Sequence, residues 1–348
     1  MLNGADLAAD ETDDAMTAIM NGDDNESAMA AFLAALGAKG VTTSELVVMA
    51  KSMRQYASRI EPDTSGFAGL LTDTCGTGGD VSGTFNVSTA AAFVVAAAGI
   101  PVAKHGNRSV TSSCGSADVL ESLGAEIDLA PDAVCECIET VGIGFLFARR
   151  FHSSMHHVAG ARAMLAERGL KSVFNLLGPL TNPASAQAQL LGVFDPSLTE
   201  MFGAVLAELG CLRALCVYGS DRDGTVRYDE ISIDGPTRVT ELNDGEKSLK
   251  TYEINPTDLG IEIPDNICLA GGNTPDEGAA ILRDVLAGRR HDACRSVVLA
   301  NAGAAIYAGI PETVSISDGS VRAAEIIDCG AALDKLDSFI STTRRLRE

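Results

Sequence analysis

Hydrophobic and polar positions follow one period in the first 67 residues and another in the rest of the chain. Up to about residue 67, apolar residues recur every three or four positions, in stripes at 7–20, 28–36 and 46–53. This spacing predicts three amphipathic helices, and Thr42 followed three residues later by Glu45 is a capping box for the third. After Asp73, short apolar runs alternate with helical stretches, which is typical of a parallel sheet with crossover helices. The predicted fold class is α/β, with a small all-helical domain and a large domain whose mostly parallel central sheet is flanked by helices.

The alternation assigns a strand or a helix to most of the chain after residue 68. Predicted strands lie at 70–75, 100–103, 126–129, 144–148, 189–194 and 213–218, with a hairpin of 238–242 and 249–254 around a turn at 243–245. Predicted helices lie at 89–98, 117–123, 131–142, 154–167, 195–209, 274–287, 292–308 and 320–338. The helix at 89–98 is apolar almost all round, so we expect it to be buried.

Two polar, glycine-bearing loops flank that buried helix. The first, GTGGD at 76–80, follows a predicted strand and precedes NVST at 86–89, which suits a helix N-terminus. The second, KHGNRS at 104–109, follows the next predicted strand. Ligands of parallel sheets bind beyond the carboxyl ends of the strands, and the N–H groups at a helix N-terminus bind phosphate. No Gly-Lys-Ser/Thr of a P-loop follows, and the third glycine of a dinucleotide fingerprint would fall at Val81.

The residue types in these loops favour a phosphorylated sugar as the ligand. Asp80, Ser88 and Thr89 supply oxygens suited to magnesium or to ribose hydroxyls. Lys104 and Arg108 supply donors suited to a diphosphate. Each loop is weak evidence on its own, but together they predict a site that binds both the sugar and the diphosphate of one ligand.

Composition excludes several classes of protein. Hydrophobic residues make up 46% of the 348 residues, Trp is absent, and the net charge is −21. So acidic a chain is not expected to bind nucleic acid or an anionic membrane surface. The N-terminus shows no basic and apolar leader, and the nine cysteines form neither a disulfide framework nor a zinc spacing. We therefore expect a cytoplasmic protein with no membrane partner, either acidic by adaptation to salt or with a locally basic site.

Two further groups of residues carry candidate chemistry. Asp229 and Glu230 are adjacent, so in a regular strand their side chains would point to opposite faces, and joint metal binding requires a loop or a bulge. His152 and His156 share one helix face, but Ser153 stands where a zinc protease needs its Glu. Arg162 offers a fork for a carboxylate, and His152 with Arg162 is the candidate acceptor pocket. The alternatives are ordinary solvated acidic and histidine side chains.

Motifs along nearly the whole chain resemble those of the anthranilate phosphoribosyltransferase family of tryptophan biosynthesis. These motifs are GTGGD, FNVST, KHGNRS, CGSADVLESLG, FLFA, HHVAGAR, FNLLGPLTNP, YDE and NAGAAIY. The resemblance implies transfer of a phosphoribosyl group from 5-phosphoribosyl 1-diphosphate (PRPP) to anthranilate, with Mg²⁺ as cofactor and two ions per active site. It also implies a small helical domain of 1–67 and about 152–184, a large domain of 68–151 and about 185–348, a hinge between them, and a homodimer through the helical domain.

The resemblance also assigns site residues. For the PRPP donor it implies Gly76, Gly79, Asp80, Thr84, Asn86, Val87, Ser88, Thr89, Lys104, the run from Asn107 through Ser112 that includes Arg108 and Ser109, and Ser116. For anthranilate it implies Gly76, His105, Asn107, His152, Arg162, Gly178 and Pro179. For the metal it implies Ser88, Asp229 and Glu230. The implied catalytic groups are Lys104, Asn107 and Arg108.

The chain departs from the family pattern in both halves of the site. Val81 and Ser113 replace a usual Gly and Lys near the donor, Arg149 and Arg150 replace neutral residues, and about three extra residues follow Arg162. Alternative functions are a nucleoside phosphorylase or a phosphoribosyltransferase of the same fold with another acceptor. A non-catalytic relative that binds nucleic acid is a further alternative.

Overall fold

Three helices open the chain, as the periodicity predicts. The structure is a computed structural model that describes residues 3–23, 25–78, 83–108, 114–243 and 248–347. Helices α1 (Ala9–Asn21), α2 (Glu26–Lys39) and α3 (Thr43–Gln55) follow one another in this segment. The predicted capping box is confirmed: the Glu45 amide donates to Thr42 Oγ1 at 3.2 Å and the Thr42 amide donates to Glu45 Oε2 at 2.8 Å.

One mixed sheet forms the centre of the large domain. Its strands are β1 (Thr72–Gly76), β2 (Val102–Gly106), β3 (Ile143–Phe147), β4 (Ala188–Gly192), β5 (Arg213–Ser220), β6 (Arg227–Tyr228), β7 (Thr237–Asn243) and β8 (Ser248–Ile254). Within the described residues the order is β3-β2-β1-β4-β5-β7-β8, and β6 pairs with β5. The first five strands are parallel, and β6, β7 and β8 add antiparallel pairs. The mostly parallel sheet is confirmed.

Helices cover the sheet and close the chain. They are α4 (Val87–Ala97), α5 (Ser116–Ser122), α6 (Pro131–Val141), α7 (Ala148–Phe151), α8 (Ala159–Ala166), α9 (Phe174–Leu177), α10 (Leu198–Glu208), α11 (Pro275–Leu286), α12 (Ala293–Gly309), α13 (Ile316–Asp328) and α14 (Ala331–Arg345). Short 3₁₀ turns lie at Ser153–His156, Gly178–Leu180 and Pro256–Leu259. Helix α4 is buried almost all round, as predicted, and packs on α12 and α14. In the part of the chain that the structure describes, no helix is both long enough and apolar enough to cross a bilayer.

The predicted strand at 126–129 is wrong. Ile127 and Leu129 are buried, which explains the alternating pattern. The backbone N–H of Glu126 donates to Thr343 Oγ1, and that of Asp128 donates to Glu126 Oε1. Because two of its amides bond to side chains, this segment reaches the core without joining the ladder.

Three other predicted elements have different limits. The helix predicted at 320–338 is two helices, α13 and α14, separated by Gly330 in the left-handed region at φ +84°. The helix predicted at 154–167 is the 3₁₀ turn followed by α8. Lys104 and His105 lie inside β2, because that strand pairs with β3 as far as Gly106. The turn predicted at 243–245 falls partly outside the described residues.

The core cluster on one side of the sheet joins distant parts of the sequence. Leu46 of α3 and Leu177 of α9 pack in the same cluster as Leu191 of β4. Helix α2 contacts α8, so the segment after residue 158 packs with the N-terminal helices. The division of the chain at 67, 152 and 184 stays a prediction. The packing places α8 and α9 beside the carboxyl ends of β1 and β4.

Candidate active site

A cleft of about 360 Å³ opens at the carboxyl ends of β1 and β2. The N-terminal turn of α4 forms part of its wall, and α9 with the 3₁₀ turn at Gly178–Leu180 forms another part. The residues directly after β6 complete the lining. The described parts of the two predicted loops, residues 76–78 and 104–108, therefore meet at one edge of the sheet.

Most of the predicted site residues line this cleft. They are Gly76, Thr84, Asn86, Val87, Ser88, Thr89, Lys104, His105, Asn107, Arg108, Ser116, Arg162, Gly178, Pro179, Asp229 and Glu230. His152 is not a lining residue; it lies behind His105, with ring centroids 5.1 Å apart. The predictions for Gly79, Asp80, Ser109 and Ser112, and the departures at Val81 and Ser113, lie outside the described residues.

The N-terminus of α4 faces the cleft without a side-chain cap. Asn86 occupies the N-cap position, but its amide nitrogen donates to the Cys114 carbonyl at 3.3 Å. A helix therefore begins at this segment, as the sequence predicts, but the Asn86 side chain does not cap it. The hydroxyls of Thr77 and Thr89 are buried and have no hydrogen-bond partner among the described residues. The first-turn amides of Val87 and Thr89 donate to the carbonyls of Phe85 and Asn86, at 2.7 and 3.1 Å. The positive end of the helix and the two unpartnered hydroxyls are the features here that suit an anionic ligand.

Lys104 supplies a buried positive charge between the two loops. It is 3% exposed, and its Nζ donates to the Thr74 carbonyl at 2.6 Å and to Ser88 Oγ at 3.3 Å. Burial lowers the pKa of the Lys104 ammonium, and the carboxylates of Asp73 and Glu230 oppose that shift. Its position next to Ser88 directs the charge at the α4 side of the cleft.

Arg108 lines the cleft, but its guanidinium is held by two acids of α5. It forms ion pairs with Asp118 at 3.1 Å and with Glu121, and both raise the pKa of the guanidinium. A direct contact between Arg108 and a diphosphate stays a prediction, and it requires these ion pairs to open.

Asp229 and Glu230 lie in a bend after β6 and not in a regular strand. Both line the cleft, so the condition for joint metal binding is met. Asp229 Oδ2 accepts a hydrogen bond from the Gly78 amide at 3.0 Å, which joins the acidic pair to the first loop. A side chain at Gly76 would overlap the Asp229 carboxylate. Two carboxylates and the Ser88 hydroxyl are hard oxygen donors, and this donor set fits Mg²⁺.

Arg162 lines a different part of the cleft from Lys104, beside Phe174. Its guanidinium carbon lies 5.7 Å from the centre of the Phe174 ring, and burial lowers the pKa of the guanidinium. No carboxylate within the described ranges forms an ion pair with it, whereas Arg108 has two. A largely buried guanidinium that stacks on an aromatic ring and lacks an acidic partner is suited to bind a carboxylate ligand.

Two imidazoles lie next to each other at the cleft: His105 is partly exposed and lines it, and buried His152 lies behind His105. Burial, with the neighbouring His152, lowers the pKa of His105 to about 3, and burial lowers that of His152 to about 4. Nδ1 of His105 is 3.2 Å from the Gly178 carbonyl, which only accepts hydrogen bonds, so we place the ring proton on Nδ1. Nε2 of His105 is then a hydrogen-bond acceptor, and it has no partner among the described residues.

Sequence reasoning left Phe174 and Asn175 without a role, although both lie in the quoted motif FNLLGPLTNP. Both line the cleft, and Phe174 stacks with Arg162. An aromatic residue next to a polar residue at the start of that motif is the signal that was available. A second cavity of about 520 Å³, lined by residues between 222 and 263, contains none of the predicted site residues.

Family models match both parts of the chain. The helical bundle domain of the glycosyl transferase family matches residues 1–57, and the a/b domain of that family matches residues 68–333. The fold and the cleft therefore define a two-domain glycosyl transferase.

The relatives narrow this class. The anthranilate phosphoribosyltransferase of Desulfatibacillum aliphaticivorans is 49% identical over 99% of this chain and 97% of its own length. The crystal structure of anthranilate phosphoribosyltransferase from Thermus thermophilus matches with a TM-score of 0.87 and 39% identity, over 99% of this chain and 98% of its own. The chain belongs to the anthranilate phosphoribosyltransferase family.

Structures of the relative from Saccharomyces cerevisiae hold ligands. One is in complex with PRPP and Mg, and it matches with a TM-score of 0.84 and 27% identity. Another is in complex with 4-fluoroanthranilate, and it matches with a TM-score of 0.82 and 26% identity. Each match covers 97% of this chain and 94% of the yeast chain.

Proposed function

We propose that the cleft transfers the 5-phosphoribosyl group of PRPP to the amino group of anthranilate, which gives N-(5-phosphoribosyl)anthranilate and diphosphate. One observation supports this most: the same cleft holds an uncapped helix N-terminus beside a buried lysine, and a largely buried arginine without an acidic partner among the described residues. The first pair suits a phosphorylated donor, and Arg162 suits the carboxylate of an aromatic acid.

The donor half of the cleft carries the groups that bind the negatively charged phosphates of PRPP. The α4 amides, the Thr77 and Thr89 hydroxyls and the Lys104 ammonium all lie at the cleft wall next to the first loop. We assign them to the phosphate and diphosphate groups of PRPP. Their fixed positive ends stabilise the charge that develops on the departing diphosphate, and they do so without rearrangement during the reaction.

The metal-binding residues fit the same half. Asp229, Glu230 and Ser88 are the groups that would hold Mg²⁺, and use of two ions is part of this proposal. Bound magnesium neutralises charge on the diphosphate and so makes it a better leaving group. On the protein side, the Gly78 amide keeps the Asp229 carboxylate at the edge of the first loop.

The acceptor half orients an amine. Arg162 binds the carboxylate of anthranilate, and neutral His105 forms part of the cleft wall beside the acceptor. The amine lone pair forms the N–C1 bond as the C1–O bond breaks, the electron pair leaves with diphosphate, and the amine loses one proton. An aromatic amine is already unprotonated at neutral pH, so catalysis needs no strong base, and orientation of the two substrates supplies much of the rate.

Three finer statements belong to the same proposal. We propose a homodimer through the helical domain, a cytoplasmic location, and a hinge between the two domains. The net charge of −21 supports the absence of nucleic acid as a partner, because a phosphate backbone requires a basic surface.

The test follows anthranilate fluorescence in the presence of protein, PRPP and MgCl₂. We expect a decay that depends on both PRPP and magnesium, with diphosphate released in equal amount. Aniline, which lacks the carboxylate, is the control acceptor and should react far more slowly. No PRPP-dependent decay would contradict the proposal, and turnover of another aromatic acid in its place would favour the alternative acceptor.

A further inference from the structure

Asp73 in β1 is a fully buried acid to which the proposed mechanism gives no role. Its side chain is 0% exposed, although it lies only three residues before the first loop. A buried carboxylate is costly unless several donors satisfy it, so its partners show what it holds.

The Asp73 carboxylate joins three segments. Its Oδ2 accepts a hydrogen bond from Nδ2 of Asn182 at 2.8 Å, and its Oδ1 accepts one from the His105 backbone N–H at 3.3 Å. Asn182 is 2% exposed, donates through the same Nδ2 to the Ala103 carbonyl at 2.8 Å, and accepts from the Ala184 amide at 2.9 Å. The Asp73–Asn182 pair therefore connects β1, β2 and the turn at 182–184.

The connected segments carry opposite halves of the cleft. Strand β2 carries Lys104, which contacts Ser88 on the donor side. Gly178 and Pro179 line the acceptor side, three to four residues before Asn182 in the chain. His105 adds a second connection, because its Nδ1 lies 3.2 Å from the Gly178 carbonyl. Asp73 thus contributes to the spacing between the two halves, together with Gln189 of β4, whose Nε2 donates to the Pro179 carbonyl at 2.7 Å.

We propose that Asp73 is a positioning residue for phosphoribosyl transfer: through Asn182 and the His105 amide, it holds the acceptor-side turn at a fixed distance from the strand that carries Lys104. This inference rests on the proposed function. It predicts that loss of the Asp73–Asn182 hydrogen bond misplaces one bound substrate relative to the other. Such a misplacement slows the transfer strongly, because the rate depends on the precise approach of the two reactants.

The variant Asp73→Asn tests this role with little change in size. An amide has one oxygen, so it can accept from either Asn182 or the His105 amide, while its NH₂ group faces the other donor. We expect kcat to fall at least about tenfold and the KM for anthranilate to rise. The donor half is read in Asn182→Ser, which keeps the Asp73 charge that favours the Lys104 ammonium: its Kd for PRPP with magnesium, measured calorimetrically without acceptor, should change less than about threefold, because Lys104 also keeps its hydrogen bonds to Thr74 and Ser88.

Asn182→Ser removes the hydrogen bond to Asp73 from the other side, together with the Asn182 bonds to Ala103 and Ala184. It should also lower kcat and raise the anthranilate KM, and it serves as the test where Asp73→Asn does not fold. In the double variant the losses in kcat should be less than fully additive, because both changes break the Asp73–Asn182 hydrogen bond. Thr343→Val is the control: it removes a buried hydrogen bond to Glu126, is not a cleft residue, and should lower stability with wild-type kcat and KM.

Each outcome decides between the possibilities. Wild-type kcat and anthranilate KM in both single variants, or losses that add in the double variant, would overturn the positioning role and leave the proposed function intact. A parallel loss of PRPP binding in Asn182→Ser would also overturn it, since the Asp73–Asn182 pair would then act on the donor half. A wild-type protein that does not consume anthranilate overturns both proposals.

Discussion

Burial makes two imidazoles neutral at the back of the cleft. His152 is 4% exposed, and burial lowers its pKa to about 4. A neutral His152 adds no positive charge beside His105, whose own pKa falls to about 3. The charge of the acceptor side therefore comes from Arg162, and the two imidazoles contribute shape and hydrogen bonds.

The buried state of His152 predicts a pH dependence of stability. Its folded pKa of about 4 is below the ordinary 6.5, so the unfolded chain binds a proton that the folded chain excludes. The contribution of His152 to the free energy of unfolding should therefore be at its maximum above pH 6.5 and should decrease as the pH falls toward 4. The loss is about 1.4 kcal/mol per pH unit for such a group.

Urea unfolding of wild type and of His152→Asn across this range measures the effect. The variant cannot take up the proton, so its stability should depend less steeply on pH. Equal slopes for the two proteins would show that His152 is not held neutral.

At the scale of single elements, amphipathic patterning predicts where helices lie but not which strands pair. The capping box at Thr42 and the period of the N-terminal stripes are enough to define α3. The same alternation at 126–129 suggested a strand, but side chains there take up two of the amides that a ladder requires. Lys104 was predicted to lie in a loop because it is charged, but β2 continues through it and pairs with β3 as far as Gly106.

The end of β4 offers a test of how strands position the acidic pair. Gly192 is the last residue of β4, and a Cβ there would overlap the backbone carbonyl of Asp229. Gly192→Ala should therefore displace Asp229 and Glu230, raise the magnesium concentration needed for half-maximal activity, and lower kcat/KM for PRPP at least about tenfold, since the neighbouring backbone must shift.

The matched control is Gly66→Ala, where a Cβ meets open space and φ is not positive. It should keep the wild-type magnesium dependence. An unchanged magnesium titration for Gly192→Ala would show that the close contact at β4 does not set the position of the acidic pair.

For the whole molecule, the site combines segments that are distant in the sequence. Residues 76–89 and 104–108 were paired from sequence because two consecutive strands share one edge of a sheet. Their residue types made Arg162 a candidate carboxylate ligand and Asp229 a candidate metal ligand, but only the family resemblance placed both at the site of the two loops. Asp73 could not be given a role from the sequence, because its burial and its bond to Asn182 are tertiary features.

The positive groups of the cleft are divided between its two sides. The chain carries a net charge of −21, which repels anionic substrates at long range. Lys104 and the α4 amides on one side, and Arg162 on the other, counter this charge inside the cleft. On the proposed function, this acidic protein would bind two anions through two separate local groups.

The central claim is that one cleft has a donor half and an acceptor half that act on different substrates. Steady-state kinetics of Arg162→Ala and Asp229→Asn tests it most directly. Arg162→Ala should raise the KM for anthranilate at least about tenfold, as expected for loss of a charge-assisted hydrogen bond, with little change in the KM for PRPP. Asp229→Asn should do the reverse. If both variants raise both constants together, or if Arg162→Ala leaves the anthranilate KM unchanged, the two-half account is contradicted.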